Sequence, residues 1–203
     1  MSENLSLKDA ERRAWTLYYE DGLWDIFFGL LFLGGGLREL TGSLWFYLLV
    51  LAGVLAFILG RKYITIPRVG VIKFGPERES RRRVLLVIIL VAVLMTFVLL
   101  LLPALGIVVP GALAGLVFAA VVPFIFVTMA YLMDFRRLYG YAVLVAIFMI
   151  LTEVVSLEAG AWAQAAAGMI ALIVGLWHLL HFLRAYPLPD EQLMAEGEFN
   201  EQS

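Results

Sequence analysis

Residues 111–133 read GALAGLVFAAVVPFIFVTMAYLM, twenty-three positions without one charged side chain. A helix rising ~1.5 Å per residue needs about 20 such positions to cross the ~30 Å hydrocarbon core of a bilayer. Working outward, five more apolar runs lie at 23–37, 43–60 and 84–102 before it, and at 138–157 and 161–183 after it. The composition agrees: of 203 residues 63% are hydrophobic and 16% charged, with a mean hydropathy of +0.92. A soluble domain is about 45–50% apolar and about 25% charged. No water-facing fold of this length hides that excess, so the expected solvent is lipid. The expected fold class is an all-α integral membrane protein. It comprises a bundle of about six transmembrane helices, an N-terminal interfacial helix and a small cytoplasmic β-hairpin.

The first run is short and carries Asp25. It reaches spanning length only if its helix begins earlier, near Trp15 or Glu20. Pro123 predicts a kink in the fourth run, and Pro103 and Pro110 bracket a charge-free turn. Residues 1–22 form a cytoplasmic amphipathic segment, 23–183 a six-helix membrane domain and 184–203 an acidic cytoplasmic tail. In the first segment, Ser6 and Asp9 resemble a helix-start pair. Leu7, Ala10, Ala14, Leu17 and Tyr18 recur at helical spacing opposite Lys8, Glu11 and Arg12. Trp15, Tyr18 and Tyr19 suit an interface. No compact apolar stretch follows a basic start, so targeting is expected to fall to the first span.

The positive charges are sharply segregated. Three lie in the N-terminal segment, eight in the loop at 61–83, two at Arg136 and Arg137, and one at Arg184. Arg38 stands alone on the other side. Counting basic residues in alternate connections places both termini in the cytoplasm of a multi-pass protein of the plasma (cell inner) membrane. The loop itself reads as two strands, Tyr63-Ile64-Thr65-Ile66 and Val69-Gly70-Val71-Ile72-Lys73-Phe74, interrupted by Pro67-Arg68. Its cations Arg61, Lys62, Arg68, Lys73, Arg81, Arg82 and Arg83 suit anionic lipid headgroups or a partner protein. No nucleic-acid-binding fold accompanies the charge, so nucleic acid is not an expected partner.

The stretches Glu20-Asp21-Gly22-Leu23-Trp24-Asp25 and Tyr63-Ile64-Thr65-Ile66-Pro67-Arg68-Val69-Gly70 resemble those of a family of small prokaryotic polytopic membrane proteins. The resemblance covers the first two helices and the loop, about a third of the chain. It implies the topology above and no chemistry.

Asp25 is the most informative polar residue. Gly22, Gly29 and Gly36 recur every seven residues on one helix face, with Asp25 between the first two. Ala161, Gly168 and Gly175 repeat the spacing in the last run, and His178 follows by three. Small residues at such spacing let helices approach closely. The first and last helices are therefore expected to pack through these stripes, bringing Asp25 toward His178. A hydrated Asp25 capping nearby backbone at the inner interface is the plainer reading. His178 and His181 share a helix face and could supply two metal ligands beside Asp25 or Asp21, but a third ligand at diagnostic spacing is lacking. Glu153 and Gln164 are expected to meet across the outer turn around Glu158.

The chain has no cysteine, which excludes disulfides, thiolate metal sites, iron–sulfur ligation and a cysteine nucleophile. It carries no phosphate-binding glycine loop and no His-Glu-x-x-His helix. Gly34-Gly35-Gly36 follows no strand and reads as helix packing. No cofactor and no metal is expected. The leading functional expectation is a non-enzymatic membrane scaffold or accessory subunit, forming a homo-oligomer or joining another membrane protein. The alternatives are a small transporter or channel using Asp25, Glu153 and His178, and a membrane enzyme or metal-binding protein at Asp25, His178 and His181.

Overall fold

A computed structural model of the chain describes residues 21–69, 80–81, 83–88, 90–91, 94, 98 and 111–187. Residues 1–20 of the expected interfacial segment, Lys73, Arg82 and residues 188–203 of the acidic tail lie outside the described residues. The regular elements among the described residues are all helical, with no strand among them. We label the helices α1 (Leu23–Thr41), α2 (Tyr47–Gly60), α3 (Ile66–Val69), α4 (Gly111–Met133), α5 (Arg137–Val154) and α6 (Leu157–Ala185). A 3-10 turn, Leu44–Phe46, leads into α2, and a π-helical segment, Arg61–Thr65, joins α2 to α3.

Four described helical stretches are long and apolar enough to cross a membrane: Leu44–Arg68, Gly115–Met133, Arg137–Val154 and Leu157–Ala185. α1 has 19 residues but carries Asp25, Arg38 and Glu39, and the run at 84–102 lies mostly outside the described residues. The exposed faces of the long helices are apolar. Leu48, Leu51, Leu55 and Ile58 line α2, while Ile170, Ile173 and Leu176 line α6. Exposed aliphatic stripes at helical spacing suit contact with acyl chains, where the backbone must satisfy its own hydrogen bonds.

Two expectations need correction. α1 does not begin near Trp15 or Glu20. Gly22 sits at φ +83°, its carbonyl accepts the first helical bond from Ile26 N–H at 3.0 Å, and the Asp21 carboxylate accepts from Leu23 N–H at 3.0 Å. A left-handed glycine preceded by a side-chain acceptor starts the helix at Leu23, and length is gained at the other end, to Thr41. There Gly42, at φ +69°, closes the helix with its N–H on the Arg38 carbonyl.

The second correction concerns the β-hairpin. Tyr63–Ile66, its expected first strand, is helical and continues α2 through the π segment; most of the second strand lies outside the described residues. Pro67 supplies a reason for the wide turn. It has no N–H to donate and its ring crowds the carbonyl four residues back, and a π turn relieves both. Pro123, by contrast, sits inside α4 without ending it.

By their internal contacts the described residues form two compact units. One is drawn from Met1–Leu31, Leu48–Lys73 and Gly168–Ser203, the other from Phe32–Tyr47 and Phe74–Ala167. In the second unit, Phe32 packs against Phe126 and Phe148 at centroid distances of 6.0 and 5.7 Å, beside the fully buried Leu138 and Val145. Its turns are closed by side-chain and backbone caps. Phe135 N–H bonds to the Ala130 carbonyl at 3.0 Å and Asp134 N–H to Tyr131 at 3.4 Å, with Asp134 left-handed at φ +53°. This is a Schellman end with Asp where glycine is usual, and Phe135 buried behind it. Ser156 caps α6, its hydroxyl accepting from Ala159 N–H at 3.0 Å.

Candidate functional site

The polar centre of the first unit lies where α1 begins. Asp21, Asp25 and Thr65 are its buried polar residues, each with no exposed surface. A buried carboxylate is costly unless its oxygens are bonded, and both oxygens of Asp21 are. Oδ1 accepts from the Leu23 amide, and Oδ2 accepts from the Thr65 hydroxyl at 2.7 Å. The first N–H groups of a helix have no internal partner and carry a positive dipole end. Asp21 just before α1 and Asp25 in its first turn occupy that end.

Burial pushes the Asp21 carboxyl above its ordinary pKa. The Thr65 hydroxyl, the Leu23 amide and the Arg61 charge pull it back, and the nearby Asp25 charge adds to the rise. Arg61 opens the π segment and lies over the rings of Phe57 (4.7 Å) and Trp24 (5.8 Å). Trp24 in turn packs against Phe57 at 4.6 Å and stacks on Phe28 at 5.6 Å. Aromatic faces stabilise a guanidinium partly withdrawn from water. The cation lies near enough to Asp21 for its charge to favour the carboxylate.

α1 approaches α6 closely through glycine. A Cβ at Gly22 would meet the Gly175 carbonyl and lie 2.7 Å from Leu179 N and 3.1 Å from His178 Cβ. One at Gly175 would lie 2.7 Å from Ile26 N and 2.9 Å from Asp25 Cβ, and one at Gly29 would strike Leu172. Asp25 and His178 thus flank the same backbone contact. The His178 ring turns to its own helix, with Nδ1–H donating to the Val174 carbonyl at 2.8 Å. Since a carbonyl can only accept, that nitrogen carries the proton. His181 is exposed and stacks on Trp177 at 6.0 Å. Among the described residues no group of three or more His, Asp or Glu is placed to hold a metal ion.

Within the second unit, a Cβ at Gly36 would fall 2.6 Å from Ala165 N and 2.7 Å from the Ala161 carbonyl. Gly168, in the first unit, is buried. The Glu153 carboxylate lies against Gly115 and the Gln164 amide against Gly35. Among the described residues no hydrogen bond joins Glu153 to Gln164. Of the basic residues, Arg81 pairs with Asp134 at 3.5 Å, Arg68 donates to the Ile64 carbonyl at 3.2 Å, and Lys62 and Arg83 are exposed.

Sequence reasoning singled out Asp25, named Asp21 only as a possible metal ligand and Arg61 only as a lipid or partner contact, and passed over Thr65, Trp24 and Phe57, which hold them in the cluster. The Asp-Gly pair at 21–22 is a turn signal that marks the break before α1. Nothing local marks Thr65.

Fold and site together define a chain whose described elements are all helical, compatible with a membrane protein, with a buried acidic cluster at the start of α1. No family model matches the chain, and no curated protein or solved structure is significantly similar to it.

Proposed function

We propose that this chain is a multi-pass protein of the plasma membrane, with both termini cytoplasmic, acting as a non-enzymatic scaffold or accessory subunit. The observation that carries this reading is how the buried polar groups are used. Asp21 is bonded to the Leu23 amide and the Thr65 hydroxyl, and His178 to the Val174 carbonyl. The Asp21–Thr65 bond ties the start of α1 to the π segment, and the other two satisfy polar groups within their own segments, as in a structural core. Ionisable groups at membrane depth are functional candidates by default, and a transport path would need Asp25, Glu153 and His178 facing water. An enzyme or metal site at Asp25, His178 and His181 would need the two rings turned to a common centre. The His178–Val174 bond and the His181–Trp177 stack favour the structural reading over both. Apolar exposed faces on α2 and α6 leave surface for a second copy or another membrane protein.

The test joins two measurements on the full chain in nanodiscs and liposomes. The expected results are a defined oligomer or a co-purifying membrane subunit, and proton and solute flux no greater than in empty liposomes. A monomer without partners that conducts, and loses conduction in Asp25→Asn, overturns the proposal.

A further inference from the structure

An apolar groove of about 330 Å3 opens beside the polar cluster. Its walls include Leu23 and Ile26 of α1, Ala56 and Leu59 of α2, and Tyr63 and Ile64 of the π segment. Gly60 forms part of the floor, where a Cβ would fall 2.6 Å from a Leu23 methyl. The volume is at the lower end of the ~300–1,000 Å3 of small-molecule sites, and the lining offers almost nothing for a polar ligand to bond.

Two cations are held at that lining. The Arg68 guanidinium folds back to donate from Nη1 to the carbonyl of Ile64, and its Nε is buried without an acceptor among the described residues. The Lys62 ammonium sits 5.2 Å from the ring centroid of Tyr63. Neither makes an ion pair among the described residues. An uncompensated guanidinium and ammonium beside an alkyl-lined groove match a molecule that is an anion at one end and a hydrocarbon at the other.

We propose that this groove binds one anionic phospholipid of the cytoplasmic leaflet, with an acyl segment along Ala56, Leu59 and Ile64 and the phosphate between Lys62 and Arg68. The inference rests on the membrane placement proposed above, which sets this end of the helix at the inner leaflet, where basic side chains meet anionic lipid. It deepens the general attraction of basic loops for such lipids into a single stoichiometric site. A net anionic headgroup is specified because a zwitterionic one would bring its own ammonium toward Lys62.

The experiment is native mass spectrometry of the full chain released from detergent, titrated with phosphatidylglycerol, phosphatidylcholine or inorganic phosphate. The expected result is one phosphatidylglycerol retained per chain, with phosphatidylcholine at least about tenfold weaker. The double variant K62Q/R68Q, on the rim, should bind at least about tenfold more weakly, and Ala56→Phe should block the groove; Arg136→Gln should bind as the wild type. Should Ala56→Phe fail to fold, the rim variant decides alone. Equal retention of the two lipids, undiminished binding by K62Q/R68Q, or inorganic phosphate binding as tightly as the lipid would each overturn the site. The same spectra report subunit number, so a lipid-bound monomer removes the scaffold and keeps the site, and a lipid-free oligomer does the reverse.

Discussion

The Thr65 hydroxyl donates to Asp21 Oδ2 at 2.7 Å, joining two fully buried residues 44 positions apart in the chain. With the Asp21–Leu23 bond, it fastens the start of α1 to the π segment that ends α2. Removing a buried donor leaves its acceptor unsatisfied, at about 1–3 kcal/mol. Thr65→Val, nearly the same shape, should lower unfolding stability in detergent by that amount. It should cost much less in an Asp21→Ala background, where the acceptor is already gone. Strictly additive losses would mean that the two residues do not act as a pair.

Asp21 precedes the first residue of α1 and lies outside the helices long and apolar enough to cross a membrane, and burial raises its carboxyl pKa. The folded state then holds the proton more tightly than the unfolded chain. The associated stability is complete below the ordinary carboxylate value and is lost as pH rises through the raised one. Thermal unfolding midpoints should fall across that window. Asp21→Asn, which keeps an acceptor for the Leu23 amide, should flatten the profile. An unchanged slope in the Asn variant would assign the pH dependence to another group.

Gly22 and Gly42 have similar backbone angles, φ +83° and +69°, in opposite surroundings. A Cβ at Gly42 meets nothing within 4 Å, whereas at Gly22 it would meet the backbone of Gly175 and Leu179. Gly42→Ala should therefore cost only the left-handed penalty, about 1–2 kcal/mol. Gly22→Ala should add a further ~1–3 kcal/mol as α1 is pushed off α6. Equal losses for the two variants would remove the close contact from the account.

Asp134 occupies the left-handed position of a Schellman end, and its pair with Arg81 is exposed and 3.5 Å long. Such surface pairs are worth about 0–1 kcal/mol. Asp134→Gly should be neutral or stabilise by up to about 1 kcal/mol, while Asp134→Val should destabilise by about 1–2 kcal/mol. Chemical unfolding of both variants checks the order, and a stable Val variant would contradict it.

The chain has no cysteine of its own, so single cysteines report the proposed topology without background. In intact cells Ser43→Cys should label with an impermeant maleimide. Lys62→Cys and Arg136→Cys should label only after the membrane is opened. Labelling of Lys62→Cys from outside would invert the orientation.

The uncharged run at 111–133 emerges as Gly111–Met133, and α5 and α6 fall within a few residues of their runs at 138–157 and 161–183. Apolar length and the turn residues between runs carry these assignments, because a chain in lipid has little choice but helix. Tyr63–Ile66 was legible only as β-branched and aromatic, and strand propensity depends on what the side chains pack against. Asp25 was visible as an acid in an apolar run, whereas its place in the first turn of α1 followed from where Gly22 and Asp21 start that helix.

The sequence by itself determined that most of this chain is apolar helix and that its basic residues are clustered into a few segments between apolar runs. Both are additive properties of residues read one window at a time. Tertiary structure decided that Thr65 answers Asp21, that Arg61 lies on Trp24 and Phe57, and that Gly22 meets Gly175. Each of these depends on residues far apart in the chain arriving at one place, where a missing Cβ or a buried lone pair fixes what the neighbour can be. No local pattern encodes that neighbour.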